Sequence, residues 1–292
     1  MRPLGGQGFT LIELLVVLAL TGVILGAVYQ SIGLTQRAMQ TQVQRLHVQQ
    51  DTRTALLFLT YALRELDAVD GDLVQAEDTA VVIRSPRWGG VLCTVPQPAI
   101  GGVSFVMRDE FEFGVRPPDA DLDSLLLFRD GDVSMRSDDQ WLIGGVLAAS
   151  AATCADGAPG TLVRTQISAA SGGNDSALVG VTAGSPVRGF QRERITLYQD
   201  GQATHWLGRQ TLDRVGAWTE VEAVVGPLTA DGLALTYFNA DGAPAVNVTD
   251  IASVAVVVRG RSPQPARLLA GGIGYIRDSV IGRVTLRNNR GF

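Results

Sequence analysis

The chain has 292 residues, 46% of them hydrophobic and 18% charged, with a formal net charge of −5. That length and balance suit a folded body of one or two domains and exclude a disordered chain. The mild acidity argues against a nucleic-acid-binding surface, which needs clustered positive charge, and all 24 basic residues are Arg, which excludes Schiff-base and P-loop lysine chemistry.

Two histidines, His47 and His205, and two cysteines, Cys93 and Cys154, leave little for a His/Cys metal site, and no cofactor is expected. A Ser-His-Asp triad would have to use one of those histidines, the first in a polar helical stretch and the second in a strand, so a non-enzyme is expected. A carboxylate-only mechanism stays open. The cysteines suit one disulfide in an oxidising compartment, where closing a loop of roughly 60 residues stabilises by roughly 4 kcal/mol in the chain-entropy model. Two unrelated buried thiols are the alternative.

The first eight residues, Met1 to Gly8, are polar and basic. From Phe9 the chain is apolar to about Leu34, and from Phe9 to Gln36 its one charge is Glu13. As a helix this stretch spans roughly 42 Å at about 1.5 Å per residue, enough for a hydrocarbon layer of about 30 Å. An ordinary secretory signal is cut after its apolar segment, at small residues. No such site follows this run; the candidate cut precedes it, between Gly8 and Phe9, and keeps the apolar helix in the mature chain. Arg2 places the amino terminus on the cytoplasmic side and the body outside, under the positive-inside rule. A carboxylate within an apolar span costs about 2.5–3.5 kcal/mol on insertion scales, so Glu13 calls for a cationic partner. Cleavage after Gly8 would supply one, the new Phe9 amine of the same chain or of a neighbour.

Gly8-Phe9-Thr10-Leu11-Ile12-Glu13 resembles the class III leader junction of type IV prepilins and type II secretion pseudopilins. The resemblance implies that Gly8 precedes the cut, that Phe9 becomes the N-methylated terminus, and that Glu13, the fifth mature residue, helps register an incoming subunit. It implies as partners other pilins or pseudopilins, a prepilin peptidase/methyltransferase and an inner-membrane assembly platform. It also implies a single-pass inner-membrane protein with its head outside the cytoplasm, which then enters a pilus or pseudopilus. A plain membrane anchor would not need this sequence at this spacing.

Beyond the membrane stretch the helix is expected to run on. Leu56, Leu59, Leu63 and Leu66 recur at helical spacing and give a face to pack on a sheet, and Asp70-Gly71-Asp72 is the expected stop. The expected organisation is a leader over 1–8, a membrane or filament-core helix over 9–35, an extracytoplasmic half of the helix over 36–69, and one head over 70–292. This is an α+β, pilin-like architecture, a long amino-terminal helix packed on a β-rich antiparallel head. Strand signals fall at Ala80–Arg84, Val91–Val95, Val103–Phe113, Ser124–Arg129, Glu193–Gln199, Gln202–Leu207, Leu233–Asn239, Ile251–Arg259 and Val280–Arg287. Asp200-Gly201 reads as a two-residue primed turn, Ala240-Asp241-Gly242-Ala243 as a second turn, and Ala169–Ser176 and Ser262–Pro265 as loops.

Gly232–Gly242, followed by Asp250–Val258, resembles the late region of PilW-like minor pilins and J-type minor pseudopilins, and Val284–Arg290 is similar to the carboxyl end of that group. The material around residues 96–190 has no counterpart there. The resemblance implies a minor pilin acting in filament initiation at or near the tip, for motility, adhesion or DNA uptake. A J-type minor pseudopilin of type II secretion and a tip-borne binding module for DNA or a surface ligand are the alternatives.

Weaker features have plainer readings. Asp119, Asp121, Asp123 and Asp130 imitate a calcium loop, but Ser124 stands where that loop requires Gly, and a solvated acidic turn is expected instead. Arg259, Arg261, Arg283, Arg287 and Arg290 would suit a DNA-contacting face, but scattered strand arginines are usually solvated or salt-bridged. Asn247-Val248-Thr249 matches a glycosylation sequon that means little in a bacterium or archaeon. Trp88, Trp141, Trp206 and Trp218 read as core and interface anchors.

Overall fold

The computed structural model describes residues 10–132, 134–135, 138–213, 216–267 and 272–286. Helix α1 spans Leu11–Arg64, 54 residues, or about 80 Å at about 1.5 Å each. It stops before the expected Asp70. The Asp67 Oδ1 accepts from the amides of Val69 and Asp70 at 2.9 and 3.2 Å, and the Asp72 carboxylate accepts from the Asp67 amide at 3.1 Å, so the chain winds into a polar turn first.

The strands that follow are β1 (Leu73–Ala76), β2 (Ala80–Val91), β3 (Gln97–Ala99), β4 (Gly102–Arg108), β5 (Phe113–Gly114), β6 (Ser124–Arg129), β7 (Gln140–Thr153) and β8 (Pro159–Ile167). A short helix α2 (Gly173–Leu178) precedes β9 (Pro186–Gln199), β10 (His205–Thr211), β11 (Glu222–Phe238), β12 (Ser253–Arg261), β13 (Ala266–Arg267), β14 (Ile273–Gly274) and β15 (Arg277–Thr285). Every ladder pairing is antiparallel. The expected α+β architecture, a long helix on a large antiparallel sheet, is therefore the observed one.

Several expectations for the head need correction. Of Val91–Val95 only Val91 is in a strand; the Leu92 amide turns to Ser185 O and the Cys93 amide to Val106 O, which takes the chain out of the β2 ladder. Val103–Phe113 breaks after Arg108, where a 3-10 turn over Asp109–Phe111 intervenes. The turn after β9 is longer than two residues: Asp200 Oδ1 accepts from the Gln202 and Thr204 amides, and β10 begins only at His205. Ala169–Ser176 is not a plain loop but carries a 3-10 turn and most of α2. The end of the last predicted strand, Arg287, lies outside the described residues.

The sheet branches at β9. Along one side β9 pairs with the whole length of β2, Pro186↔Val91 to Thr196↔Ala80. Along the other, residues 193–199 pair with β10 and residues 187–190 with β6. One arm then runs β10-β11-β12-β15 and the other β6-β7-β8-β4-β3. Each arm has its own apolar core: Leu59, Leu63, Val81, Ile83, Ile195, Leu207, Leu235 and Val256 in the first, and Trp88, Phe105, Leu125, Leu142, Val163 and Val187 in the second. Pro86, which cannot donate to the ladder, sits beside a bulge at Arg87, and the extra residue keeps Trp88 on the face of Val81 and Ile83.

Between the cores lies a polar seam. Glu193, 4% exposed, is ion-paired to Arg87, and Arg209 Nη1 stands 3.7 Å from the same carboxylate; Gln191 is buried beside it in sequence. The second arm has a further buried carboxylate, Asp123, which accepts from Arg116 in a bidentate pair at 2.6 and 2.7 Å and from Trp88 Nε1 at 2.9 Å. A disulfide joins Cys93, just past β2, to Cys154, at the tip of the β7–β8 hairpin.

Among the described residues, it is the second half of α1 that packs on the head. Val48, Thr52, Ala55, Leu59 and Leu63 recur every three or four residues, each at most 1% exposed. They pack across β11, β12 and β15, and burying each of these leucines stabilises the contact by roughly 1.5–3 kcal/mol. Leu56, expected on this face, lies half-buried at its flank. Two glycines admit the helix: a Cβ on Gly260 of β12 would stand 2.7 Å from Thr52 Cγ2 and 3.1 Å from Val48 Cγ1, and one on Gly282 of β15 would stand 2.7 Å from Leu56 Cδ1.

Candidate functional site: the amino-terminal half of the long helix

The first turn of α1 explains part of Glu13. Thr10, in extended conformation, is the N-cap: its Oγ1 accepts from the Glu13 amide at 3.4 Å, and its carbonyl accepts from Glu13 and Leu14 at 3.1 and 3.2 Å. Glu13 thus occupies the third helical position, where a carboxylate faces the positive end of the helix dipole. The spacing Thr10-x-x-Glu13 is that of a capping box, a signal present in the sequence that the reading above did not use. The dipole contributes about 0.3–1 kcal/mol at an exposed terminus, less than the roughly 2.5–3.5 kcal/mol that a carboxylate costs in an apolar span. A cation is still required. Gly8 and Phe9, the residues expected to provide one after cleavage, lie outside the described residues.

From Leu11 to Ile32 the helix presents Leu, Ile and Val on all sides, and its most apolar stretch has no residue buried against the head. By length and composition this segment can cross a membrane. A helix apolar all round is stable only inside lipid or among other helices. Gly22, Gly26 and Gly33 have open space around them, so neighbouring helix backbones can approach there.

The other sites singled out from the sequence resolve into structural roles. Asp123, expected in a solvated acidic turn, is buried and committed to Arg116 and Trp88, and it pushes the Arg116 guanidinium up by hydrogen bonding. Among the described residues no group of three His, Cys, Asp or Glu is placed to hold a metal ion. Arg259 donates to Asp231 O at 2.7 Å, Arg261 stacks on Tyr275 at 4.8 Å, and Arg283 lies over Phe238 at 4.6 Å; Arg287 and Arg290 lie outside the described residues. His47 is on α1 and His205 opens β10. Trp88 is buried, Trp141 packs edge-on against Phe128 under Arg188, Trp206 donates to Asp200 at 2.8 Å, and Trp218 is exposed. Asn247 donates to Asp250 at 2.8 Å within a 3-10 turn.

Residues 6–29 match the family described as the prokaryotic N-terminal methylation motif. No curated protein and no solved structure matches the chain. The matched segment contains the Gly8–Phe9 junction, the Thr10 cap, Glu13 and most of the exposed apolar stretch of the helix. The motif supports a prepilin-type protein with a class III leader, pilin-like or pseudopilin-like, that is anchored in the membrane, processed by a prepilin peptidase and assembled with other pilins.

Proposed function

We propose that this chain is a minor pilin of a type IV pilus-like filament, a structural subunit rather than a catalyst, acting in filament initiation at or near the tip. Cleavage after Gly8 leaves an N-methylated Phe9. Residues 9–35 then lie in the membrane or the filament core, residues 36–69 carry the helix out to the head, and residues 70–292 form the head outside the cytoplasm. The observation that carries this reading is the position of Glu13, one turn into an unpartnered apolar helix and four residues from the new amine. Stacking subunits would bring that carboxylate to a neighbour's Phe9 amine, and the attraction is strong because lipid and packed helices exclude water. A head with two cores is bulky for a subunit repeated along a thin filament, which favours a rare, terminal position. The β11–β12 pair contains the segment that resembles both PilW-like minor pilins and J-type pseudopilins, so the secretion reading stands second; the genes that surround this one separate the two.

Two measurements test the proposal. Mass spectrometry of the mature chain is expected to find methylated Phe9 at the terminus, with Gly8→Ala still processed and Gly8→Glu blocked. A mature terminus elsewhere contradicts it. Glu13→Val is expected to be processed normally yet to be depleted at least about tenfold from filaments, the loss that about 1.4 kcal/mol of contact free energy produces. Normal incorporation of that variant removes the assembly role of Glu13.

A further inference from the structure

Among the described residues the head sheet has four free edges, and they are unequal. The edge at β3 is three residues long and contains Pro98, β5 has two residues, and β1 has four with a register break. Such features blunt an edge against pairing with another chain. β15 has none of them. It runs nine residues, Arg277–Thr285, in unbroken register with β12, contains no Pro, and has no second partner strand among the described residues. Its exposed face carries Ile281, 73% exposed, with Arg283 two residues after it and Arg277 four before; Arg283 donates to Ser253 Oγ at 3.0 Å and lies over Phe238, and neither arginine forms an ion pair among the described residues. Arg53, one helical turn before Leu56 on the α1 flank beside this edge, is likewise exposed and without an ion pair.

We infer that the outer edge of β15 receives an extended acidic segment from a different polypeptide of the filament, added as a further strand of the sheet. The main-chain ladder supplies the binding, and alternation supplies the selectivity: an apolar side chain beside Ile281, with one carboxylate two residues to one side opposite Arg283 and another four residues to the other side opposite Arg277. A second copy of this chain is the wrong occupant. α1 and β15 run in the same direction: Val48 and Thr52 meet Gly260, which pairs with Asp278, and Leu56 meets Gly282. The helix advances about 6–12 Å over that interval and the strand about 13 Å, in the same direction. Antiparallel pairing of two β15 edges would therefore oppose their helices, and two opposed helices cannot enter one membrane from the same side. This inference rests on the filament reading above.

The test is amide hydrogen exchange of the full chain in isolated filaments, compared with the same chain extracted as a detergent-solubilised monomer. Alternate amides across residues 279–283 are expected to slow by at least about tenfold on assembly, as amides that gain ladder hydrogen bonds do. Ile281→Lys is expected to abolish that protection, whereas Ile100→Lys, at an exposed site on the other arm, is expected to preserve it. Unchanged exchange in assembled chain overturns the inference and leaves the filament reading intact. Disulfide cross-linking between two Ser279→Cys copies overturns it in favour of self-pairing. Recovery of the chain only from fractions devoid of pilins overturns the filament reading itself, and the inference with it.

Discussion

Gly260→Ala isolates the contact that fixes the helix to the head. The added methyl would stand 2.7 Å from Thr52 Cγ2 and 3.1 Å from Val48 Cγ1, both well inside normal contact. Thr and Val in a helix have few χ1 alternatives, and Thr52 Oγ1 donates to Gln49 O at 3.1 Å, so neither side chain can swing aside. The helix itself must lift from β12, and overpacking of this kind costs about 1–3 kcal/mol. About 2 kcal/mol lowers Tm by roughly 4–8 °C for a body of this size. Gly282→Ala is the control: its obstacle is Leu56 Cδ1, the far end of a flexible side chain, and its cost is expected below about 1 kcal/mol. Thr52→Ala in the Gly260→Ala background removes the nearest obstacle and is expected to recover about half of the loss. Thermal unfolding of the full chain in detergent, followed by near-UV circular dichroism, reads all four proteins. Equal effects of the two glycine substitutions, or no recovery with Thr52→Ala, would refute the close-approach argument.

Glu193→Ala strands Arg87 in the seam, while Arg209 keeps its 2.8 Å pair with Glu222, and loss of a buried partner costs about 3–5 kcal/mol. Because Arg209 is about a third exposed, the lower end, about 3 kcal/mol, is expected in urea unfolding, with Glu193→Gln milder; a cost under about 1 kcal/mol would show the seam to be solvated. Replacing Cys93 and Cys154 together by Ser is expected to destabilise by about 2–4 kcal/mol. Hydrogen exchange should rise first in β4, β7 and β8, and a uniform rise over both arms would contradict the local role of the bridge. Asp200 is held below its ordinary pKa of 3.8 by the Thr204 amide, then by the Trp206 indole. A depressed carboxylate stabilises above the unfolded pKa, and that stability is lost as pH falls through the folded value. The Trp206 indole resonance should therefore shift only below about pH 3.8, and Asp200→Asn should abolish the shift.

Elements whose local chemistry agrees with their tertiary role were legible in the sequence. The apolar run after Phe9, the stripe Leu59-Leu63-Leu66, and the strands at Ser124–Arg129 and Ala80–Arg84 all announce themselves by period and composition. β7 and β8 did not. Gly144-Gly145 and the Ala-rich stretch to Ala152 have weak strand propensity, and only pairing with β6 and β4 makes them strands. The burial of Glu193 and Asp123 was equally hidden, because Arg87 and Trp88 come from distant points of the chain and no spacing rule connects Arg209 or the nearby Arg116 to its carboxylate. At the amino terminus the chemistry is local, so the capping spacing Thr10-x-x-Glu13 stands in the sequence itself. Gly260 and Gly282 show their role only in the structure, where α1 passes close over both.

The branch at β9 has a consequence for how such a head could be remodelled. β2 ends at Val91 and β9 begins at Pro186, and those two residues face each other across the ladder. Everything from 92 to 185, the second core and the disulfide included, hangs from the mouth of what is otherwise an ordinary β-hairpin. A short turn joining Val91 to Pro186 would close that hairpin and leave the helix-bearing half of the sheet with all its strands. Trp88 and Val187, now roofed by the lost material, would need polar replacements. The lobe is thus an outgrowth on a complete smaller head, free to change its surface without disturbing the part that carries the anchor.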